Sequence, residues 1–162
     1  MRIVCLLGSP RSRGNSTAVA RHFCETAEKK GASIQTFALN KLNYRGCQAC
    51  MTCKTKLDRC VLKDDLTEVL DAIRDADVLV MATPVYYGEV SSQLKAFIDR
   101  TFSYLVPDFE TNPAPSPTLK NRDLQFLCMS RYASKCSLLN RRLIFLSPRN
   151  PSDLSKTISS LI

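Results

Sequence analysis

Arg2-Ile3-Val4-Cys5-Leu6-Leu7-Gly8-Ser9-Pro10-Arg11-Ser12-Arg13-Gly14-Asn15-Ser16-Thr17 is the stretch that decides the fold. The nearly continuous apolar run from Arg2 to Leu7 predicts a strand covered on both faces, as in a parallel sheet. Gly8-Ser9-Pro10 breaks that run. Asn15-Ser16-Thr17 can cap a helix, and Val19, Phe23 and Ala27 follow at helical spacing. Gly31 predicts where that helix ends.

The alternation continues outward from there. Ser33 to Leu39 reads as a second strand, with Ile34, Thr36 and Ala38 on one face and Gln35 and Phe37 on the other. Asp64-Asp65 can cap a helix whose Leu66, Val69, Leu70 and Ile73 form one apolar stripe. Val78-Leu79-Val80-Met81-Ala82 is another buried strand, and Pro84 to Glu89 reads as a loop. Ser91 or Ser92 caps a helix with Leu94, Phe97, Ile98 and Phe102 as its buried face. Strands alternating with helices imply an α/β fold, a parallel sheet with helices on both faces. Ligands of such sheets bind outside the carboxyl ends of the strands. The loop from Ser9, the cysteine-bearing loop and the loop from Pro84 are therefore expected along one edge.

Beyond Pro107 the pattern thins. Pro107 to Pro117 is a loop with four prolines. Asp123 to Met129 and Arg142 to Leu146 read as the fourth and fifth strands, and Ser152 to Ile162 as a closing helix. About a dozen residues separate those strands, barely enough for a helical crossover. No glycine follows Gly88.

The 162 residues suit one domain with a single core. No run approaches the ~20 apolar residues that span a bilayer. The apolar start is too short for a signal peptide, so a cytoplasmic location and no membrane partner are expected. That in turn predicts a reducing compartment for the eight cysteines. The net charge of +8 is spread over both halves, which suits anionic ligands such as phosphorylated cofactors. A recognition motif and a basic stripe with stacking aromatics are both absent, so nucleic acid is not an expected partner. The single histidine, His22, excludes an HExxH zinc site. It sits mid-helix and reads as a partly exposed helix residue, leaving no catalytic acid–base dyad.

Three segments carry chemistry. The first is Gly8 to Thr17, from a strand end into a helix start. Free N–H groups and the positive end of the helix dipole make an anion site there, with serine and threonine hydroxyls and two arginines nearby. Neither GxxxxGK[ST] nor GxGxxG is present, so a terminal phosphate monoester fits better than a triphosphate or dinucleotide. The bland alternative is an ordinary strand-to-helix turn. The second is Thr83-Pro84-Val85-Tyr86-Tyr87-Gly88-Glu89, where adjacent tyrosines at a sheet edge suit a flat aromatic ring. A surface turn with packed aromatics is its bland counterpart.

The third segment is Cys47-Gln48-Ala49-Cys50-Met51-Thr52-Cys53, followed by Cys60. Cysteines at i, i+3 and i+6 let one short loop wrap a compact cluster. Zinc is less natural, because its structural sites use separated cysteine pairs. Lys54, Lys56 and Arg59 flank the loop and would offset thiolate charge. Free thiols or a redox dithiol are the alternatives. Cys5, Cys24, Cys128 and Cys136 read as small core or surface residues.

Gly-Ser-Pro-Arg…Gly-Asn-Ser-Thr after the first strand, with Thr-Pro-Val-Tyr-Tyr-Gly…Leu-Lys-Ala-Phe-Ile-Asp-Arg after the third, resembles the NAD(P)H-dependent FMN reductase branch of the flavodoxin-like superfamily. The resemblance covers roughly residues 1 to 110. It implies a three-layer sandwich with a five-stranded parallel sheet of order 2-1-3-4-5. It implies Ser9, Arg11, Asn15, Ser16 and Thr17 for the FMN phosphate, and Pro84, Val85, Tyr86, Tyr87 and Gly88 for the flavin ring. The cysteine pattern followed by Val61-Leu62-Lys63-Asp64-Asp65 resembles the iron-sulfur flavoproteins of the same superfamily. That resemblance assigns Cys47, Cys50, Cys53 and Cys60 to a 4Fe-4S cluster exchanging electrons with FMN. A cluster-free NAD(P)H-dependent FMN or quinone reductase is the alternative, and a metal- or nucleic-acid-binding module a more distant one. A reduced nicotinamide or a ferredoxin-like protein is the implied electron donor, and a homo-oligomer (dimer or tetramer) the implied assembly. On this reading residues 1–162 form one FMN-binding domain with a cysteine-loop insertion at about 44–63. The final third, from about 113, departs from the family pattern: Met129 to Lys135 lacks the expected glycine. That segment reads as divergent or out of frame relative to its relatives.

Overall fold

The structure, a computed structural model, describes residues 1–113 together with the backbone of 124–128 and 143–144. Its elements are β1 (Arg2–Leu7), α1 (Asn15–Lys29), β2 (Ser33–Ala38), α2 (Thr52–Thr55), α3 (Leu66–Arg74), β3 (Val78–Thr83), β4 (Val85–Tyr86), β5 (Glu89–Val90), α4 (Ser92–Arg100), β6 (Leu124–Cys128) and β7 (Leu143–Ile144). The expected closing helix at Ser152–Ile162 and the Met129–Lys135 segment lie outside the described residues.

The apolar runs pair as their composition demands. β1 lies between β2 and β3, parallel to both, with Leu7 opposite Ala38 on one side and Ala82 on the other. β6 runs parallel to β3, and β7 to β6. The period-2 alternation of a strand divides the core into two layers. Ile3, Cys5, Leu7, Val80 and Ala82 meet Ala20, Phe23, Cys24 and Ala27 of α1. Val4, Leu6, Leu79 and Met81 meet Leu66, Val69, Leu70 and Ile73 of α3, and Leu94 and Phe97 of α4. Helices thus cover both faces of the β2-β1-β3 sheet, as the alternation predicts, and the arrangement is the flavodoxin-like one that the resemblance implied.

One helix start differs from the sequence reading. The cap of α1 is Gly14 rather than Asn15, and no side chain accepts from the first turn. Ser16 and Thr17 are turned inward and buried instead. The start of α3 follows the sequence reading: Asp64 Oδ1 accepts from Leu66 N–H at 3.2 Å. The far end of α1 follows expectation. Gly31 sits at φ +88°, and its N–H and that of Ala32 donate to Glu28 and Ala27 carbonyls.

Ser91 fastens α4 to the end of β1. Its hydroxyl donates to Gly8 O at 2.6 Å and accepts from Leu94 N–H at 3.3 Å. Gly8 permits this close approach, since a Cβ there would lie 3.0 Å from Leu94 Cβ and 3.2 Å from Ser91 Oγ. Ser91→Ala removes a helix cap and leaves a buried carbonyl unpaired. It should cost about 1–2 kcal/mol, seen as a lower urea midpoint with an unchanged denaturant slope.

Candidate functional site

The parallel register places the carboxyl ends of β1, β2 and β3 side by side, so the loops that leave them share one edge. In the first loop Arg11 N–H donates to Ser9 Oγ at 3.1 Å, and Thr17 Oγ1 donates to Arg11 O at 3.2 Å. These bonds fold the loop back over the start of α1. Because no side chain caps the helix and no acidic residue stands in its first turn, its leading N–H groups and dipole face the loop uncompensated. Arg11, Arg13 and Asn15 are exposed around that helix end.

The segment Pro84 to Glu89 is a hairpin, not the irregular loop its sequence suggests. Val85 pairs with Val90 and Tyr86 with Glu89. The two-residue turn is Tyr87-Gly88, with φ of 51° and 82°. Positive φ at both central positions is the type I′ geometry, whose twist matches a tight hairpin. Tyrosine in the left-handed region costs of order 1 kcal/mol. Tyr87 accepts that cost at full exposure, with Tyr86 half-exposed beside it. The hairpin is tied to the first loop: Thr83 Oγ1 accepts from Ser91 N–H at 3.1 Å and donates to Pro84 O at 2.9 Å, while Ser91 holds Gly8.

The cysteine loop packs along α4. Tyr44 OH donates to Gln93 O at 2.6 Å, and a Cβ on Gly46 would touch Ala96 at 3.7 Å. Ala49 and Met51 both adopt left-handed backbone, φ 52° and 55°, which wraps the loop tightly. Cys47, Cys50, Cys53 and Cys60 consequently line one pocket, closed on its far wall by Leu62, Arg100 and Phe102. Its volume is about 20 Å³, room for about one water. Among the described residues, no three His, Cys, Asp or Glu side chains converge closely enough to hold a metal ion. The Thr52 hydroxyl and N–H lower the Cys50 thiol from its ordinary value.

Sequence reasoning misassigned one cation here and missed another. Lys54 is buried, and its ammonium donates to Phe102 O at 2.6 Å and Leu105 O at 2.7 Å while lying 4.4 Å from the Phe102 ring centre. It closes the 3-10 turn Thr101–Tyr104 rather than offsetting thiolate charge. Lys56 and Arg59 are exposed, and Arg59 pairs with its neighbour Asp58. The cation at the pocket is Arg100, 1% exposed at the end of α4. Its Nη1 donates to Asp64 Oδ2 at 2.8 Å and Arg45 O at 2.9 Å; its Nη2 donates to Asp64 Oδ1 at 3.2 Å and Leu62 O at 3.4 Å. Burial alone would push the Asp64 carboxyl up, but Arg100 and the N–H groups of Arg45 and Leu66 outweigh it and hold it below the ordinary range. Burial likewise opposes charge on Arg100, and Asp64 and Cys60 restore it. An arginine falling on the apolar face of a helix, in register with Leu94 and Phe97, was the available signal.

The profile of the NADPH-dependent FMN reductases matches residues 1–122. The chain belongs to that family. It is 36% identical over 106 residues to an iron-sulfur flavoprotein of Archaeoglobus fulgidus, covering 64% of this chain and 47% of the relative. It is 33% identical over 101 residues to one of Methanocaldococcus jannaschii, covering 62% and 52%. The chain thus spans about half the length of the curated relatives it matches. A solved NAD(P)H:quinone oxidoreductase from Methanothermobacter marburgensis superposes with a TM-score of 0.59 at 18% identity, over 100% of this chain and 72% of the other. At that identity the likeness is one of fold.

Proposed function

We propose that this FMN reductase-family chain is an electron-transfer flavoprotein of the iron-sulfur kind, holding FMN at the sheet edge and a 4Fe-4S cluster at the cysteine loop. The observation that carries the reading is the placement of α4. Its start, at Ser91, ties the loop of Gly8 to the tyrosine hairpin. Its last residue, Arg100, walls the four-cysteine pocket. Nine residues of helix set the two ends about 13 Å apart.

The uncapped start of α1 suits the phosphate of FMN, bound by backbone N–H groups at Asn15, Ser16 and Thr17 with Ser9 and Arg11 beside them. Thr17 reaches an anion through its N–H, since its hydroxyl already serves Arg11 O. Pro84 and Val85 set the base of the hairpin, Gly88 permits its turn, and Tyr86 and Tyr87 offer their rings to the flavin. When bound, FMN supplies hydride acceptance from a reduced nicotinamide and single-electron exchange. The chain binds, orients and shields it, and no protein acid or base is required. Cys47, Cys50, Cys53 and Cys60 supply the thiolate donors that iron-sulfur clusters use. The four thiols do not converge in this structure, so seating a cluster would require the loop to rearrange. A dimer or tetramer, testable by light scattering, completes the reading.

One observation favours the alternative, an NAD(P)H-dependent FMN or quinone reductase with no cluster: the thiols line a pocket of single-water size. Anaerobic purification with a visible spectrum, flavin assay and iron assay on one sample separates the two. Stoichiometric flavin and iron support the cluster reading, and Cys53→Ser should then abolish iron while leaving flavin in place. Flavin without iron selects the reductase. Zinc without flavin, even after reconstitution, overturns both.

A further inference from the structure

Cys5 and Cys24 are free thiols outside the cysteine loop. Both lie in the core layer where α1 covers β1, and there the Cys5 thiol donates a hydrogen bond to Cys24 Sγ. Cys5 is 1% exposed and Cys24 8%. The pair is not sealed, however. An open groove of about 260 Å³ is lined by both cysteines, by Thr36 of the edge strand β2, and by Arg21, Glu25 and Glu28 of α1. Packing as small apolar residues accounts for the burial of two cysteines. It does not account for a thiol–thiol contact beside a groove.

The contact also makes the two sulfurs unequal. The Cys5 hydrogen bond holds the Cys24 thiol below its ordinary value, against burial and the charges of Glu25 and Glu28. The same bond and burial push Cys5 up. The more exposed sulfur is therefore the one that ionises, and the thiolate is the form that reacts in exchange.

We propose that Cys5 and Cys24 are an oxidisable pair, joined into a disulfide by exchange with a small disulfide that enters the groove. The Cys24 thiolate attacks one sulfur of that disulfide, whose S–S bond breaks and releases one half as a thiolate. Cys5 then gives up its proton and attacks Cys24 Sγ, and the second half leaves. The two protein thiols lose two protons and two electrons, and the small disulfide becomes two thiols. The whole loop from Gly8 to Thr17 lies between the two cysteines in sequence. The new bond thus ties the strand before that loop to the helix after it.

The test holds the whole chain reduced without oxygen, then equilibrates it with glutathione and glutathione disulfide at a series of ratios. Remaining thiols are alkylated and tryptic peptides weighed. Cleavage after Arg and Lys leaves Cys5 in Ile3–Arg11 and Cys24 in His22–Lys29, each without a second cysteine. These peptides should appear joined, two hydrogens lighter than their sum, in a share that rises with the disulfide ratio. In Cys5→Ser, Cys24 should carry a trapped glutathione; in Cys24→Ser, Cys5 should remain a thiol. Alkylated Cys5 and Cys24 at every ratio overturn the proposal. So does glutathione on wild-type Cys24 with no onward joining, or either cysteine joined chiefly to the cysteine loop. Glutathione on Cys5 in Cys24→Ser rejects Cys24 as the attacking sulfur. Should either variant fail to fold, the wild-type peptide map decides alone.

Discussion

Replacing Arg100 by methionine lowers the unfolding free energy by about 3 kcal/mol, because breaking one half of a buried ion pair strands the other. The Arg100 side chain is fully buried and that of Asp64 is 17% exposed. The substitution removes the donors of Arg45 O and Leu62 O and leaves Asp64 only the N–H groups of Arg45 and Leu66. Urea unfolding at neutral pH measures the loss. Acid provides a second readout. The folded Asp64 carboxyl is held below its ordinary value, so the unfolded chain binds the proton more readily. The stability from this group is complete above the ordinary carboxylate range and is lost as pH falls through the depressed folded value. The gap between wild type and Arg100→Met should therefore narrow in acid. A gap that stays constant down to the lowest pH at which the protein folds removes the Asp64 pair as its source. Pairing Arg100→Met with Asp64→Asn should recover part of the loss, since the two charges leave together.

Asn15→Asp should move two properties in opposite directions. The new carboxylate stands in the first turn of α1, where no acidic residue now offsets the dipole. It should stabilise the flavin-free protein by about 0.3–1 kcal/mol. The same carboxylate faces the site proposed for the FMN phosphate. Repulsion between them should weaken FMN binding by about 1.5–3 kcal/mol, roughly ten- to a hundredfold. Thermal melts of flavin-free protein and a fluorescence titration with FMN give the two numbers. A gain in stability with unchanged affinity places the phosphate elsewhere. A loss of both indicates a general disturbance of the helix start.

Much of the fold was legible because strand and helix burial leave different periods in the chain. The run Ile3 to Leu7 and the stripe Leu66, Val69, Leu70 and Ile73 are buried as their spacing requires. Gly31 and Ser91 end and begin helices for local reasons, a positive φ and a hydroxyl acceptor, which a sequence exhibits directly. The hairpin at Val85–Val90 was not legible. Tyr87 is a poor residue for a left-handed turn, and only pairing between Val85 and Val90 makes that turn worthwhile. The wrong choice of cation at the cysteine loop has a similar origin. Lys54 is next to Cys53 in sequence, yet its ammonium meets the carbonyls of Phe102 and Leu105 across the fold.

By itself, then, the sequence determined the alternating architecture, the sheet edge at which the chemistry gathers, and the residue types available there. These depend on periodicity and on backbone preferences within a few neighbouring residues. The tertiary structure alone decided which charge meets which pocket. Arg100 lies forty residues from Cys60 and thirty-six from Asp64, and nothing local relates them. Packing α4 against the cysteine loop brings the three together, and low solvent access makes the pairing of Arg100 with Asp64 count.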